Sequence, residues 1–337
     1  VAMAVRLLNP QTPVLARAES AAIARNMASF GTDHIVNPFE RFGAHLALAL
    51  AAPASQRLID WLTTPPDATF VPSKPPPRGH WVVAGYGRFG REVTDALRAQ
   101  GLDVTVIDPD ESSLPGVRAV MGTGTEPGPL RQAGIASAVG VVAGTDDDIV
   151  NLSIAVTAKE MNPGLFTVLR QNLQASSPLF EAFQADITMV PSRIVANGCL
   201  AELRTPWLTQ LLADIRARDN AWAEALLEQL GSLLGSRTPV LWRVRLEPEF
   251  APALAQAMTG QIRVPVGMVT VNPDDRTHRL PALALGLARD RVFRTLPDAD
   301  EHLQLGDELL FAGTAGARRA QSHLLSDAGD CAYVLGG

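Results

Sequence analysis

The stretch that decides the fold runs from His80 to Gly90 and has the sequence HWVVAGYGRFG. A short apolar segment, Trp81–Ala84, leads into a glycine-rich loop, and a helix-forming stretch follows. Apolar runs of four to six residues then alternate with helix-length segments as far as about residue 205. Buried parallel strands joined by helical crossovers show this pattern. We therefore predict an α/β fold built on a Rossmann-like, doubly wound parallel sheet.

The glycine-rich loop predicts a nucleotide site. Gly85 permits a tight turn, Gly87 lets a pyrophosphate approach the backbone, and Gly90 permits close packing of the next helix. The N-terminus of that helix offers unpaired N–H groups to an anion. An alternative is a glycine turn that serves packing alone. The candidate binding residues of the loop are Gly85, Tyr86, Gly87, Arg88, Phe89 and Gly90.

The next predicted strand ends at Asp108, 18 residues after Gly90. A carboxylate at this position accepts hydrogen bonds from the 2′ and 3′ hydroxyls of a ribose. A 2′-phosphate would be repelled by the same carboxylate, so NADP is disfavoured. We include the two residues that follow, Pro109 and Asp110, among the candidate binding residues.

Two further strand ends supply candidate residues, because ligands of open α/β sheets lie at the carboxyl edge. Gly122, Thr123, Gly124 and Thr125 follow the third strand, where the alternative is an ordinary turn that caps a helix. Thr145 and Asp146 follow the fourth strand and open a run of three carboxylates that ends at Asp148. That run suggests a cation site, but Thr145 with Asp148 resembles a capping box, which we favour.

The chain also contains an internal repeat and a linker. An offset of 153 residues, the separation of Asn9 from Asn162, aligns several further residues without a gap. We therefore interpret residues 1–62 as the C-terminal half of an upstream copy of the same domain. Six prolines between Thr63 and His80 indicate an extended linker. The predicted divisions are 1–62, the linker 63–79, the nucleotide-binding domain 80–205, connecting helices 206–236 and a small α+β domain 237–337.

Composition excludes several classes of protein. The chain has 29 basic and 35 acidic residues, a net charge of −6 and no basic block, so we expect no nucleic-acid partner. Its longest apolar stretch, Leu46–Ala54, falls short of the roughly 20 residues that a bilayer helix needs. Neither an HExxH, a CxxC nor a Gly-x-Ser-x-Gly motif occurs, so we expect no enzyme of those classes. Because Val1 begins a helical pattern without a cap, we expect the chain to start inside a longer product.

These residues resemble the RCK family, also called KTN or TrkA-N: regulator of potassium conductance domains of prokaryotic potassium channels and Trk/Ktr uptake systems. The resemblance rests on VVAGYGRFG, on VTVIDPD, on the run from Gly122 to Pro163, and on TVLRQN and DITMVPSRI further along. It covers residues 79–205, with the half copy before it. The segment LQLGDELLFAG, residues 303–313, resembles the closing strands of the companion TrkA-C-like domain.

The resemblance implies a regulatory adenine nucleotide, NAD(H) or ATP, ADP or AMP, held by the glycine loop and Asp108, with Arg88 reaching toward phosphate. It also implies self-association into dimers or an octameric gating ring at the cytoplasmic face of the cell membrane. A potassium-conducting transmembrane pore would then lie upstream or in a partner chain. One departure leaves the nucleotide open: the usual Gly-Asp-Ala-Thr after the third strand is Gly122-Thr123-Gly124-Thr125 here. A divalent cation is also possible, although no motif in the sequence indicates one.

We therefore predict a ligand-sensing gating module of a potassium channel or transporter, and not an enzyme. Two alternatives stay open at this stage. One is an NAD-dependent oxidoreductase, and the other is a structural assembly domain whose nucleotide site is degenerate.

Overall fold

The structure is a computed structural model that describes residues 2–110, 116–204 and 206–336. It forms two compact units, one built from residues 1–53 and 73–200 and the other from residues 54–72 and 201–337.

The described residues form α-helices and β-strands throughout both units. The helices are α1 (Ala2–Leu8), α2 (Ala21–Ser29), α3 (Pro38–Ala51), α4 (Pro53–Thr63), α5 (Arg88–Ala99), α6 (Pro127–Gln132), α7 (Asp148–Met161), α8 (Ser177–Phe183), α9 (Pro191–Arg204), α10 (Pro206–Ala217), α11 (Asn220–Leu234), α12 (Pro252–Thr259), α13 (Ala315–Ser326) and α14 (Ala328–Leu335). The strands are β1 (Leu15–Arg17), β2 (His34–Val36), β3 (Trp81–Ala84), β4 (Val104–Asp108), β5 (Arg118–Met121), β6 (Gly140–Ala143), β7 (Phe166–Arg170), β8 (Ile187–Met189), β9 (Val240–Arg245), β10 (Val271–Asn272), β11 (Asp275–Arg279), β12 (Ala282–Arg289), β13 (Val292–Thr295) and β14 (Glu308–Gly313).

The first unit is organised by a six-stranded sheet in the order β5-β4-β3-β6-β7-β8. All neighbouring strands are parallel. The chain runs outward from β3 to β5, then returns to the other side of β3 and continues to β8. This is the doubly wound, Rossmann-like α/β sheet that the strand pattern predicts, and its order reverses between β3 and β6. Ligands of such sheets bind at the carboxyl ends beside that reversal.

Alternating side chains of the sheet form two apolar layers, as a strand period of two requires. Val83, Val106, Val142 and Val168 belong to one layer, which also contains Phe89. Their neighbours along the same strands, among them Val82, Ile107, Val141 and Leu169, belong to the other layer, against Ile154 and Ala158 of α7. Both faces of the sheet are therefore covered, which explains the near-continuous apolar strands.

The helices and strands of residues 2–51 recur in the same order, with small differences in length, in residues 155–204. At an offset of 153 residues, α3 corresponds to α9 in length and position, and the three residue pairs of β1 with β2 correspond to the three pairs of β7 with β8. One side-chain hydrogen bond also recurs: Asp33 accepts from the Val14 N–H at 2.7 Å, and Asp186 accepts from the Thr167 N–H at 2.8 Å. This correspondence supports our proposal that the two segments are copies of one unit.

Helix α3 joins residues 2–51, here called the repeated segment, to the Rossmann-like sheet. It begins at Pro38, after Asn37 caps it by accepting from the Phe39 and Glu40 N–H groups. Its buried face packs along α5, where the ring centroids of Phe42 and Phe89 are 5.4 Å apart. The apolar surface of this helix is thus buried within the chain itself.

The second unit contains a four-stranded antiparallel sheet in the order β13-β12-β14-β9. Strands β9 and β14 overlap the apolar runs LWRVRL, residues 241–246, and LQLGDELLFAG, residues 303–313. The run VPVGMVTV, residues 264–271, has the composition of a strand, but most of it is not one, because Val266–Thr270 forms a 3-10 turn in which the Met268 N–H donates to the Pro265 carbonyl. The segment NPDDRTH, residues 272–278, contains a hairpin turn, since Asn272 pairs with Asp275 between β10 and β11.

The compact units divide the chain differently from the predicted divisions. Helix α4 lies almost wholly in the second unit, with its Ala54 N–H donating to Asn220 at 2.8 Å and Trp61 donating to the Arg237 carbonyl at 2.9 Å. The proline-rich segment contains no helix, and Thr69 forms an isolated bridge with Arg237. Residues 54–72 therefore fold with the second unit, because the apolar face of α4 finds its partners there.

Replacement of Phe42 by alanine should destabilise the first unit. Phe42 is 4% exposed and stacks in the layer that holds α3 on α5. Loss of a buried phenyl ring lowers the free energy of unfolding by about 3–5 kcal/mol. Phe30→Ala is the control, because Phe30 is 45% exposed, and it should change stability by no more than about 0.5 kcal/mol. Equal effects in urea denaturation of the two variants would show that α3 is not bound to α5 as described.

Candidate functional site

A cavity of about 310 Å³ opens at the carboxyl ends of the parallel strands, beside the reversal of strand order. It contains most of the candidate residues, contributed by loops that follow β3, β4, β5 and β6. Its lining residues are Gly85, Gly87, Ile107, Asp108, Pro109, Gly122, Thr123, Gly124, Gly144, Thr145, Asp146, Val150, Ile154 and Arg170.

The three motif glycines have three different physical roles. Gly85 has a φ of +92°, a conformation that disfavours side chains. A Cβ on Gly90 would lie 1.9 Å from the Gly85 carbonyl oxygen, so only glycine lets α5 pack this closely. Gly87 has an ordinary φ of −68°, and no atom lies within 4 Å of a Cβ built on it. Because neither strain nor packing requires glycine at position 87, the open space before α5 is what a ligand phosphate would use.

Asp108 stands beside this loop and is tied to it by hydrogen bonds. One carboxylate oxygen accepts from the Tyr86 N–H at 2.6 Å, and the other accepts from the Asp110 N–H at 2.9 Å. Each carboxylate oxygen keeps acceptor capacity beyond these bonds. The carboxylate is therefore held at the cavity wall with lone pairs left for a ribose.

The loop after β5 closes another side of the cavity. Gly122, Thr123 and Gly124 line the cavity, whereas Thr125 does not. The hydroxyl groups of Thr123 and Thr125 share a hydrogen bond of 3.0 Å. A Cβ on Gly124 would lie 2.8 Å from that of Ala84. The second glycine of this loop thus allows it to approach β3 closely.

The carboxylates after β6 have separate structural roles, and the predicted capping box is wrong in its residues. Asp147, not Thr145, caps α7 by accepting from the Ile149 and Val150 N–H groups at 2.8 and 2.9 Å. Thr145 instead donates its hydroxyl to the Asn151 side chain at 2.7 Å. Among the described residues no group of three or more His, Cys, Asp or Glu side chains is arranged to hold a metal ion.

Asp148 is buried and secures the loop after β7. It accepts from the Asn172 N–H at 2.6 Å and from the Leu173 N–H at 3.0 Å. Burial alone would raise the pKa of this carboxyl, but hydrogen bonds from Asn172, Ser176 and Leu173 outweigh burial and hold the pKa below its ordinary value.

Three loop residues that the sequence motif predicts as binding residues do not line the cavity. The Phe89 side chain is fully buried in the apolar layer under α5, and Tyr86 packs beneath the Arg91 guanidinium at 5.4 Å. Arg88 is half-exposed and forms an ion pair with Glu19 of the repeated segment. Its position at the first turn of α5 still leaves it beside the glycine loop.

Arg170 lines the cavity, although the sequence motifs did not indicate it as a binding residue. It ends β7, and its guanidinium forms an ion pair of 2.6 Å with Asp146. Burial lowers the pKa of this guanidinium, Asp146 opposes that effect, and the nearby charges of Arg88 and Arg17 add to it. The one signal in the sequence was that Arg170 aligns with Arg17 in the repeat.

This chain is similar in sequence and fold to several known proteins. Residues 81–191 match the model of the TrkA-N domain family. The Trk system potassium uptake protein TrkA of Mycobacterium tuberculosis is 29% identical over 262 residues, which cover 72% of this chain and 96% of that protein. Potassium channel protein 1 of Methanocaldococcus jannaschii is 28% identical over 98 residues, covering 27% of this chain and only 29% of that protein. The structure of the GsuK channel bound to NAD has a TM-score of 0.48 and 17% identity, covering 96% of this chain and 64% of that one.

The predicted resemblance is thereby confirmed over residues 81–191, which match the TrkA-N domain family. The relatives described above are a potassium-uptake protein and a potassium channel protein. Over the part of the chain that the structure describes, no helix has the length and apolar character needed to cross a bilayer.

Substitution of Gly87 should abolish nucleotide binding without loss of stability. In Gly87→Val the side chain would occupy the open space before α5, so phosphate could not approach the backbone. Gly128→Val is a matched control, because a Cβ at position 128 also meets no atom within 4 Å, yet Gly128 does not line the cavity. Calorimetric titration with ADP and thermal unfolding of both variants check this. Retained ADP affinity in Gly87→Val would contradict the assigned phosphate position.

Replacement of Asp148 by asparagine should change the acid side of the stability profile. A lowered pKa means that the unfolded chain binds the proton more readily than the folded chain, so the carboxylate stabilises the fold fully above its ordinary pKa of 3.8. That contribution is lost as the pH falls through the lower pKa of the folded state. Asp148→Asn should therefore be less stable than the parent at pH 7, and the gap should narrow below pH 3.8. A gap in urea midpoints that is constant from pH 7 to pH 2 would contradict this.

Proposed function

We propose that this chain is the cytosolic ligand-sensing module of a potassium channel or transporter, and that it binds an adenine nucleotide to control potassium flux. The observation that carries the proposal is the cavity in which Asp108 and the open space at Gly87 lie side by side. The TrkA-N match over residues 81–191 and the potassium-transport relatives support the same assignment. NAD(H), ATP and ADP are the candidate ligands.

In the proposed complex the parts of the ligand follow the order of the strands. The ribose hydroxyls meet Asp108 at the end of β4, and the phosphates meet Gly87 and the first turn of α5 at the end of β3. Adenine then lies on the outer side of Asp108, between Pro109 and the Gly122–Gly124 loop. Apolar contacts with Ile107 fit a base better than they fit a charged group.

The residues that line the cavity are suited to binding a ligand without catalysing a reaction on it. Among the described lining residues the titratable side chains are Asp108, Asp146 and Arg170, and no histidine, cysteine or lysine joins them. Asp108 and Asp146 are each engaged by a hydrogen bond or an ion pair. Hydride transfer would need a proton donor or acceptor beside the nicotinamide, which these residues are not placed to supply.

Nucleotide binding has a direct route to residues 2–51. Arg88 begins α5 beside the phosphate position, and in this structure it is paired with Glu19. A ligand phosphate competes with Glu19 for that guanidinium, so nucleotide binding weakens the contact with the repeated segment.

The proposal also includes self-association and a membrane pore. Ile149 and Val156 expose apolar side chains two turns apart on α7, and a second copy of the chain would cover this face.

The ribose assignment can be tested with Asp108 variants. Asp108→Ala removes charge-assisted hydrogen bonds worth roughly 1.5–3 kcal/mol, so affinity for NAD and ADP should fall about ten- to a hundredfold. Asp108→Asn keeps an acceptor but removes the charge that repels a 2′-phosphate, so its preference for NAD over NADP should shrink. Asp103→Ala is the control, because Asp103 is exposed just before the opposite end of β4.

Calorimetric titration with NAD, NADH, NADP, ATP and ADP, followed by a turnover assay, decides among the functions. Binding without turnover supports the sensor. Turnover of NAD(H) with a substrate would support an oxidoreductase. If none of these nucleotides binds, the result would support a structural assembly domain with a degenerate nucleotide site. NADP that binds the unchanged chain as tightly as NAD would refute the role of Asp108.

A further inference from the structure

Strand β9 of the second unit has an open edge. It is the last strand in the order β13-β12-β14-β9 and pairs with β14 on one side. The Leu246 N–H donates toward β14, to the Asp307 carbonyl at 2.9 Å. Because successive residues of a strand direct their N–H and C=O groups to opposite sides, Leu241, Arg243 and Arg245 direct theirs away from β14. Among the residues that the structure describes, none of these outward groups has a hydrogen-bond partner.

A cavity of about 340 Å³ lies beside the amino end of this strand. Its lining residues come from the start of β9 and from one face of α13: Val240, Ala315, Arg318, Arg319 and Ser322. The Trp242 indole N–H donates to the Gln321 side chain at 2.6 Å, which fixes α13 along β9. A strand added outside β9, at the usual spacing of about 4.8 Å, would therefore pass along this cavity.

The cavity is positively charged. Arg318 and Arg319 are exposed, and neither forms an ion pair or a side-chain hydrogen bond with any described residue. The described lining includes no carboxylate. Glu247 and Glu249 follow the opposite, carboxyl end of β9, so they do not neutralise the end at which the cavity lies. The charge at the amino end of this edge is thus complementary to an acidic group.

A second copy of the chain does not complement this edge. Antiparallel pairing of β9 with itself over its whole length would place the two Arg243 side chains directly opposite each other, and like charges in that position are destabilising. The same register pairs Leu241 with Arg245. It therefore brings a further arginine to the cavity that already contains Arg318 and Arg319.

We propose that β9 is a docking edge for an extended acidic segment of a partner protein, which adds a strand to the sheet and places a carboxylate beside Arg318 and Arg319. Main-chain hydrogen bonds to the outward groups of β9 supply affinity, and the two guanidinium groups select an acidic side chain. Alternate side chains of an added strand face the same side of the sheet, so acidic residues at alternate positions fit best. The inference concerns the second unit and does not depend on nucleotide binding.

The first test measures peptide binding to the full chain by fluorescence anisotropy. The probe is a labelled, capped peptide of about ten residues in which Glu and Val alternate. A Lys–Val peptide of the same length reverses the charge and should bind at least about tenfold more weakly. A Glu–Pro peptide keeps the charge but loses half of its N–H donors, and it should also bind at least about tenfold more weakly.

The second test uses variants of the chain. Arg318→Gln and Arg319→Gln should each weaken binding of the Glu–Val peptide about threefold or more, and together about tenfold or more. Arg263→Gln is the matched control, because Arg263 is also exposed and does not line the cavity. Arg243→Pro removes an outward N–H that an added strand needs, whereas Arg243→Gln removes the charge alone. The proline variant should bind at least about tenfold more weakly than the glutamine variant.

Each outcome bears on the proposal. It is overturned if the Glu–Val peptide does not bind at about 1 mM, if the Lys–Val peptide binds as tightly, or if the double arginine variant keeps full affinity. Equal binding of the Glu–Val and Glu–Pro peptides would show that no strand is added, and this comparison decides the point if Arg243→Pro does not fold. Dimers of the unchanged chain that dissociate in Arg243→Pro, without peptide binding, would assign the edge to a second copy and overturn the proposal.

Discussion

The contact between Gly90 and the carbonyl of Gly85 is the constraint on which the site depends. Because a Cβ at position 90 would lie 1.9 Å from that oxygen, α5 can begin directly over the end of β3 only with glycine there. This placement directs the first turn of α5 toward the crevice where the strand order reverses. It also brings the Tyr86 N–H to the Asp108 carboxylate at 2.6 Å, so the loop and Asp108 are positioned by the same turn.

In the proposed function, the repeated segment also takes part in the response to the ligand. Through Phe42 and Phe89 it holds α3 on α5, and through Phe39 and Glu19 it reaches the rim of the cavity. A change at the phosphate position therefore acts on residues that the repeat contributes. In a protein that senses a ligand, such shared residues couple binding to the conformation of a neighbouring segment.

Much of the first unit could be predicted from the sequence, because its signals are local. Each strand of the parallel sheet is a short apolar run, and the loop glycines and Asp108 stand at strand ends that the topology brings together. Arg170 could not be assigned in this way, since its burial and its ion pair with Asp146 arise from elements far apart in sequence. The contacts of Phe39 with Arg170 and of Glu19 with Arg88 could not be predicted from the sequence either, because both depend on how the repeated segment packs. In the second unit, Val266–Thr270 resembles a strand in composition but forms a 3-10 turn.

The proposed function requires that the crevice between the glycine loop and Asp108 hold an adenine nucleotide with a free ribose. A crystal structure of this chain grown with ADP tests it most directly. We expect the ribose hydroxyls to lie within hydrogen-bonding distance of the Asp108 carboxylate and the diphosphate to lie against Gly87 at the start of α5. ADP bound elsewhere, or in this crevice with its phosphates at Asp108 and its ribose at Gly87, would contradict the proposed function.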